Sequence, residues 1–373
     1  MAHNEGHVDL ERGGCLAAYA QFFAVFTTPD MDPNGVYGPE EIFSAVLHNL
    51  LAEIEENERI QLAGTPADAG RITQGGKIAA FLSLEGPAGI GFDPGRLEEL
   101  AAWGFRMTTL TWNEQNPLAG SHKTGGGLTA RGRAFVEAAQ RHGMAVDVSH
   151  LSDEAFWDIM DITQAPVSAS HSNSRAVWPE SRNLTDAQFR AICETGGVAG
   201  INLFTGFLGE EPVTLETVCR HVLHWLDMGG EKHIALGGDL DGCQRLPEGF
   251  TGVDCYPALA RALAGHGVPR RTLEDIFLEQ CHEDAGTMLY VTTLDRTVTY
   301  TAQATLERAT GPDGGLFIPL TLPQYDAAAL AALLALPFWD CVAGVLNQFF
   351  RCAFRAVNCR GRMGFCRSRF YPP

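Results

Sequence analysis

Residues 145–171 read AVDVSHLSDEAFWDIMDITQAPVSASH, and this stretch decides the fold because it contains a strand, a helix and a second strand. Apolar, β-prone residues occupy positions 145–149 and 167–170, and an amphipathic helical pattern lies between them at Asp153–Ile162. Ser152 is a suitable helix N-cap, and the acidic residues that follow it suit the positive end of the helix dipole. Alternation of this kind predicts a parallel sheet.

The same alternation continues on both sides of this stretch. The predicted strands are Ala20–Thr27, Ile78–Leu84, Met107–Thr111, Ala145–Ser149, Val167–Ser170, Val198–Phe204 and His233–Gly237. The predicted helices are Glu40–Glu58, Thr129–His142, Asp153–Ile162, Asp186–Glu194 and Leu215–Met228. The sequence therefore predicts an α/β fold built on parallel strands.

Polar residues fall at or just after the carboxyl ends of these strands. They are Glu85, Asn113, His150, His171, Asn202 and Asp239. In a (β/α)8 barrel this edge is the catalytic face, whereas a doubly wound sheet binds ligands only at its switch point. Contributions from so many strands favour a TIM-type barrel. Seven strands are found where the barrel needs eight, so we expect a barrel that is one strand short.

The composition disfavours several classes of protein. The 373 residues include 27 basic and 45 acidic side chains, which give a formal net charge of −18. This charge repels nucleic acid and anionic lipid, so neither is an expected partner. The longest apolar run, Ala327–Trp339, is too short to cross a bilayer, and no signal-peptide pattern is present. Ten cysteines without Cys-x-x-Cys spacing fit reduced thiols, and we expect a soluble cytoplasmic protein.

The pattern changes after about Ala285, which predicts three parts. Residues 1–285 form the barrel, and residues 286–350 form a small C-terminal α+β segment with short β-prone pieces and a glycine-rich turn. Residues 351–373 carry six arginines and no acidic residue, unlike either preceding part. We expect this basic tail to be disordered, or to come from a shifted reading frame.

Three of the strand-end residues form a candidate metal site. Glu85, His150 and His171 offer one carboxylate and two imidazoles, a donor set that suits zinc or a similar divalent ion. A single histidine beside a strand is more often a satisfied polar residue than a ligand. Two histidines that each close an apolar strand favour the metal site.

Two further residues are candidates for the chemistry. Asp239 lies in the glycine-rich loop 237–242 and could act as a general base or proton shuttle, although turns use the same residue types. Arg182 follows His171 in a loop, where its guanidinium could take a carboxylate through two hydrogen bonds. A surface ion pair is an equally weighted interpretation of Arg182.

The motifs that contain these residues resemble the membrane dipeptidase (renal dipeptidase) family of zinc peptidases over about residues 4–284. The matching motifs are Ser83-Leu84-Glu85-Gly86, Thr109-Leu110-Thr111-Trp112-Asn113, Gly126-Gly127-Leu128-Thr129, Asp147-Val148-Ser149-His150, Ala169-Ser170-His171-Ser172-Asn173, Ser181-Arg182-Asn183-Leu184 and Gly238-Asp239-Leu240-Asp241-Gly242. The resemblance implies a (β/α)8 barrel with a two-zinc centre that cleaves dipeptides.

The resemblance also implies a role for each candidate residue. Glu85 corresponds to the carboxylate that bridges the two zinc ions, and His150 and His171 correspond to ligands of the second zinc. Arg182 corresponds to the clamp on the terminal carboxylate of the substrate. Asp239 corresponds to the acid near the scissile bond.

The chain departs from the family pattern at two places. The family opens with a His-x-Asp pair at the end of the first barrel strand, which completes the first zinc site. We expect this chain to begin after that pair, so that its barrel lacks the first strand. His7-Val8-Asp9 has the same spacing, but the strand at Gln21–Ala24 follows it directly and resembles the family's next segment, so its role stays open. Trp112 stands where some members carry a histidine that steadies the oxyanion, which leaves oxyanion stabilisation unassigned.

A second resemblance covers residues 288–350, which are similar to the N-terminal segment of threonine synthase. It rests on Met288-Leu289-Tyr290-Val291-Thr292-Thr293, Ala302-Gln303-Ala304 and Asp313-Gly314-Gly315-Leu316-Phe317-Ile318-Pro319. The match covers none of the pyridoxal-phosphate-binding part of that family, so no pyridoxal phosphate is expected. The internal methionine that begins this segment suggests two neighbouring genes read as one chain.

The leading hypothesis is a zinc-dependent dipeptidase that hydrolyses dipeptides with a metal-activated water. One alternative is a catalytically impaired fragment or fusion product that binds at most one metal. Another is a metal-dependent barrel hydrolase that acts on a non-peptide amide. Without the His-x-Asp pair we expect about one zinc per chain, weak or no dipeptidase activity, and association of copies through the unpaired strand edges.

Overall fold

The computed structural model describes residues 1–27, 31, 34–277, 290–294, 310, 313–319, 335–336 and 341. Contacts divide the chain into two compact units, residues 1–281 and 282–373. The predicted three-part division of the chain stays a prediction, since its basic tail lies outside the described residues.

The first unit alternates strands and helices along the chain. Its strands are β1 (Ala20–Phe26), β2 (Ile60–Leu62), β3 (Ile78–Glu85), β4 (Phe105–Thr109), β5 (Ala145–Asp147), β6 (Val167–Ser168), β7 (Ala199–Ile201) and β8 (Ile234–Leu236). Its helices are α1 (Leu10–Gly13), α2 (Pro39–Glu56), α3 (Pro66–Gln74), α4 (Leu97–Ala102), α5 (Ala130–Arg141), α6 (Asp153–Met160), α7 (Asp186–Glu194), α8 (Leu215–Asp227), α9 (Tyr256–Gly265) and α10 (Arg270–Phe277).

The strands of this unit pair in parallel. One sheet has the order β1-β3-β4-β5-β6, and β2 pairs with the first residues of β3. β7 pairs with β8, and a parallel bridge between Ala169 and Ala199 continues the order from β6 to β7. Among the described residues no strand pairing joins β8 to β1. The fold is therefore α/β and barrel-like, with a mainly parallel sheet.

All seven predicted strands are present, with shorter limits in most cases. The additional strand β2 was not predicted because only Ile60 of its three residues is buried, so it has no apolar run to detect. The predicted N-cap is also observed, since the Ser152 hydroxyl accepts the backbone N–H of Ala155.

The sheet is packed tightly where β6, β7 and β8 approach the candidate site. A Cβ atom added to Gly200 would lie 2.1 Å from the carbonyl oxygen of Ser170, and one added to Gly237 would lie 1.9 Å from the same atom. Only glycine allows these backbones to come so close. Behind the sheet, the rings of Phe189 and Trp225 stack with centroids 4.5 Å apart and join α7 to α8.

The second unit contains β9 (Tyr290–Thr292) and β10 (Phe317–Pro319), which pair antiparallel. The Thr292 hydroxyl donates a hydrogen bond to the Asp313 carboxylate in the connecting turn. None of the helices in the described residues combines the length and apolar character needed to cross a membrane.

Candidate metal centre

Three parallel strands of one sheet, β3, β5 and β6, deliver one candidate ligand each to the same edge of the sheet. Glu85 is the last residue of β3, His150 lies just beyond β5, and His171 lies just beyond β6. Their ligand atoms all lie within 4.8 Å of one another, and we call these residues the ligand group. The structure thus brings together the three residues that the sequence selected as metal ligands.

The donor atoms of the ligand group have spacings that fit a metal ion. Nε2 of His150 lies 2.9 Å from Nε2 of His171, and Oε1 of Glu85 lies 3.4 and 3.9 Å from these two atoms. Zinc bonds of about 2.0–2.1 Å in tetrahedral geometry separate two ligand atoms by about 3.3 Å. Shifts of a few tenths of an ångström are therefore enough for the group to hold one zinc.

Burial prepares the two imidazoles to act as ligands. Burial lowers the pKa of His150 well below its ordinary value, and the neighbouring Arg182 lowers it further. Burial and Arg182 also lower the pKa of His171. Both rings are therefore neutral at physiological pH, which is the form that binds metals. Burial raises the pKa of Glu85, because a buried carboxylate loses hydration.

Arg182 is buried beside the ligand group and has unused donors. Its side chain is only 3% exposed, and burial lowers its pKa to about 10, so it remains a cation at neutral pH. Nη1 donates to the Ser172 hydroxyl at 2.7 Å. Nε and Nη2 have no hydrogen-bond partner among the described residues. This burial excludes the alternative of a surface ion pair for Arg182.

Asp239 follows β8 in the left-handed region, with φ of 52°. The amide of Asn202 contacts one of its carboxylate oxygens at 3.4 Å. Burial raises its pKa, and this effect exceeds the opposing influence of His171 and Arg182. A carboxyl group of this kind holds a proton to higher pH than an exposed one.

His122 was not identified from the sequence. Its ring centroid lies 6.0 Å from that of His150, and its ring nitrogens contact Asn113 Oδ1 at 3.1 Å and Ser181 Oγ at 3.0 Å. Burial, aided by nearby cations, lowers its pKa to about 4. Through these contacts His122 connects the loop after β4 with the loop after β6. Its own loop has no periodic sequence pattern, so the sequence contains no indication of these contacts.

His7 and Asp9 are not part of the ligand group. Nδ1 of His7 lies 2.5 Å from the carbonyl oxygen of Leu240. Asp9 caps α1 and accepts two hydrogen bonds from the guanidinium of Arg12, at 2.9 and 2.7 Å. These contacts occupy His7 and Asp9, the pair with His-x-Asp spacing whose role the sequence left open.

In comparison with known proteins, two family models match parts of the chain. The profile of the membrane dipeptidase family (peptidase family M19) matches residues 1–307. The profile of the threonine synthase N terminus matches residues 289–360.

Individual relatives match the first of these regions. A protein of Klebsiella pneumoniae without an assigned function is 34% identical over 245 residues, covering 62% of this chain and 89% of its own length. An uncharacterised dipeptidase of Schizosaccharomyces pombe is 34% identical over 295 residues, covering 74% of this chain and 72% of its own length. Among solved structures, a metallopeptidase of Rhodobacter sphaeroides liganded with a phosphinate mimic of the dipeptide L-Ala-D-Ala is 29% identical, with a TM-score of 0.67 over 74% of this chain and 89% of that chain.

Proposed function

Because the chain belongs to the membrane dipeptidase family of metallopeptidases, we propose that it hydrolyses the peptide bond of dipeptides at a zinc ion held by Glu85, His150 and His171. The observation that carries this proposal is the ligand group itself, two buried imidazoles and a carboxylate whose donor atoms converge within 4.8 Å. We further propose that this chain holds about one zinc, since three ligands leave one position open for water or substrate.

A zinc ion in this group would supply a bound water of lowered pKa and would polarise the scissile carbonyl. The chain would supply the remaining functions. Both imidazoles of the ligand group are buried and the Glu85 side chain is only 17% exposed, which limits competing water and strengthens electrostatic interactions with the substrate.

Recognition of the substrate is assigned to Arg182. A dipeptide has a free carboxylate close to its only peptide bond, and Nε and Nη2 of Arg182 are buried donors that need an acceptor. The mimic bound to the relative from Rhodobacter sphaeroides represents a dipeptide, which supports this substrate class.

Proton transfer is assigned to Asp239. Its carboxyl group lies at the edge of the sheet where the ligand group lies, and its raised pKa favours a group that takes a proton from the attacking water. The same carboxyl can then give that proton to the leaving amine.

The experiment is dipeptide hydrolysis by the purified chain, measured before chelation, after chelation and after zinc is restored. We expect weak activity that chelation abolishes and zinc restores, and that Glu85→Gln, which removes one ligand charge, lowers further. Binding of zinc without turnover of any dipeptide would instead favour the catalytically impaired alternative. Turnover confined to non-peptide amides would favour the third hypothesis.

A further inference from the structure

A buried carboxylate, Asp147, lies beside the ligand group and outside it. Its Oδ1 accepts the backbone N–H groups of Ser149 at 3.0 Å and Ser170 at 2.8 Å. Its Oδ2 accepts the hydroxyl groups of Thr109 at 2.6 Å and Ser170 at 2.5 Å. Four hydrogen bonds to one side chain that is 1% exposed fix this carboxylate in a single orientation.

These contacts determine the direction of the hydrogen bond at Ser170. The two backbone N–H groups at Oδ1 can only donate, and the contacts of 2.5 and 2.6 Å at Oδ2 have the length of hydrogen bonds from a hydroxyl group to an ionised carboxylate. Asp147 is therefore ionised and can only accept hydrogen bonds. Ser170 has one hydroxyl proton, and its contact with Asp147 uses that proton. Towards His171, the Ser170 oxygen can then only accept.

Nδ1 of His171 lies 2.6 Å from the Ser170 oxygen. Since that oxygen accepts, Nδ1 carries the ring proton. A neutral imidazole has a single N–H group, so Nε2 of His171 carries the lone pair. This is the nitrogen that faces Glu85 and His150.

We propose that Asp147 and Ser170 are positioning residues that hold His171 in the Nδ1–H tautomer and so present its Nε2 lone pair to the metal ion. The proposal rests on the proposed function of the ligand group. Hydrogen bonds of this kind behind a metal-bound imidazole typically change metal affinity 10–100-fold.

His150 differs from His171 in this respect. Its Nδ1 is buried and has no partner among the described residues. No hydrogen bond at Nδ1 therefore fixes the tautomer of His150. His171 is the preorganised ligand of the pair.

The first experiment measures the zinc Kd of the full chain by competition with a chelator. We expect Ser170→Ala to weaken zinc binding about 10–100-fold. Ser170→Thr keeps the hydroxyl and should stay within about threefold of the wild type. Thr109→Val is the matched control, because it removes a hydroxyl from the same Asp147 oxygen but none from His171. An equal loss in Thr109→Val and Ser170→Ala would overturn the proposal, and so would wild-type affinity in Ser170→Ala.

The second experiment reads the tautomer directly and needs neither zinc nor activity. Long-range ¹H–¹⁵N NMR of the metal-free full chain should show His171 protonated at Nδ1 and unprotonated at Nε2. Ser170→Ala should shift His171 towards a mixture of both tautomers. A wild-type His171 protonated at Nε2 would overturn the proposal. If the wild type binds no zinc, the proposed function fails, while this spectrum still decides the role of Ser170.

Discussion

Arg182→Lys tests how the chain selects its substrate. The guanidinium has two buried donors without partners, Nε and Nη2, which we assign to the two oxygens of the dipeptide carboxylate. Lysine keeps the positive charge but has a single nitrogen, so it can replace at most one of these two directed bonds. A hydrogen bond to a charged group is worth about 1.5–3 kcal/mol. Its loss should lower kcat/KM about 10- to 150-fold.

The assay compares a dipeptide with its C-terminal amide, for both the wild type and Arg182→Lys. We expect the wild type to prefer the free acid by at least about tenfold, because the amide lacks the second acceptor oxygen and the negative charge. The variant should lose most of this preference, because lysine can replace at most one of the two directed bonds. Arg133→Lys is the matched control, since the Arg133 side chain on α5 is 42% exposed and, among the described residues, forms its ion pair with Asp158 at 3.2 Å. Equal wild-type rates on the acid and the amide would refute the clamp.

Three further predictions concern stability and organisation. His221 is fully buried and its pKa is lowered to about 4, so as the pH falls below about 6.5 the histidine takes up a proton in the unfolded chain before it does so in the folded chain. The wild type should therefore lose unfolding free energy between pH 7 and 5, and His221→Gln should remove about 2 kcal/mol of that loss. Denaturant titration of the metal-free chain measures this difference. Gly200→Ala places a methyl group 2.1 Å from a carbonyl oxygen and should lower the unfolding free energy by about 1–3 kcal/mol in the same assay. Gly265→Ala, whose added methyl group meets nothing within 4 Å, should not destabilise the fold. Equal stabilities of the two variants would contradict the close packing of β6 and β7. A chain that ends at residue 287 should bind zinc with the full chain's stoichiometry, since the ligand group lies in the first unit. The full chain should form no absorbing adduct with pyridoxal phosphate. Loss of zinc on truncation, or a stable adduct, would contradict this organisation.

The ligand group could be predicted from the sequence because strand ends are visible in it. Glu85, His150 and His171 each close an apolar run, and parallel strands bring their carboxyl ends to one edge. The pattern needs no knowledge of distant contacts beyond the order of the strands. It therefore identified these three residues without the structure.

Burial and partners across the sheet could not be predicted in the same way. Asp147 lies within an apolar strand, and the hydroxyl groups that satisfy it come from β4 and from the residues after β6. The sequence left Arg182 open between a clamp and a surface ion pair, and the 3% exposure that excludes the surface ion pair depends on packing that the sequence does not reveal. His122 lies in a loop without periodicity, and its contacts with Asn113 and Ser181 depend on how two loops fold together.

Anomalous diffraction at the zinc edge tests most directly whether Glu85, His150 and His171 bind the catalytic metal. A crystal of the zinc-loaded full chain should give a peak about 2.0–2.2 Å from Nε2 of both histidines and from a carboxylate oxygen of Glu85. A map without a peak at these three residues, or with zinc held elsewhere by His7 and Asp9, would contradict the account.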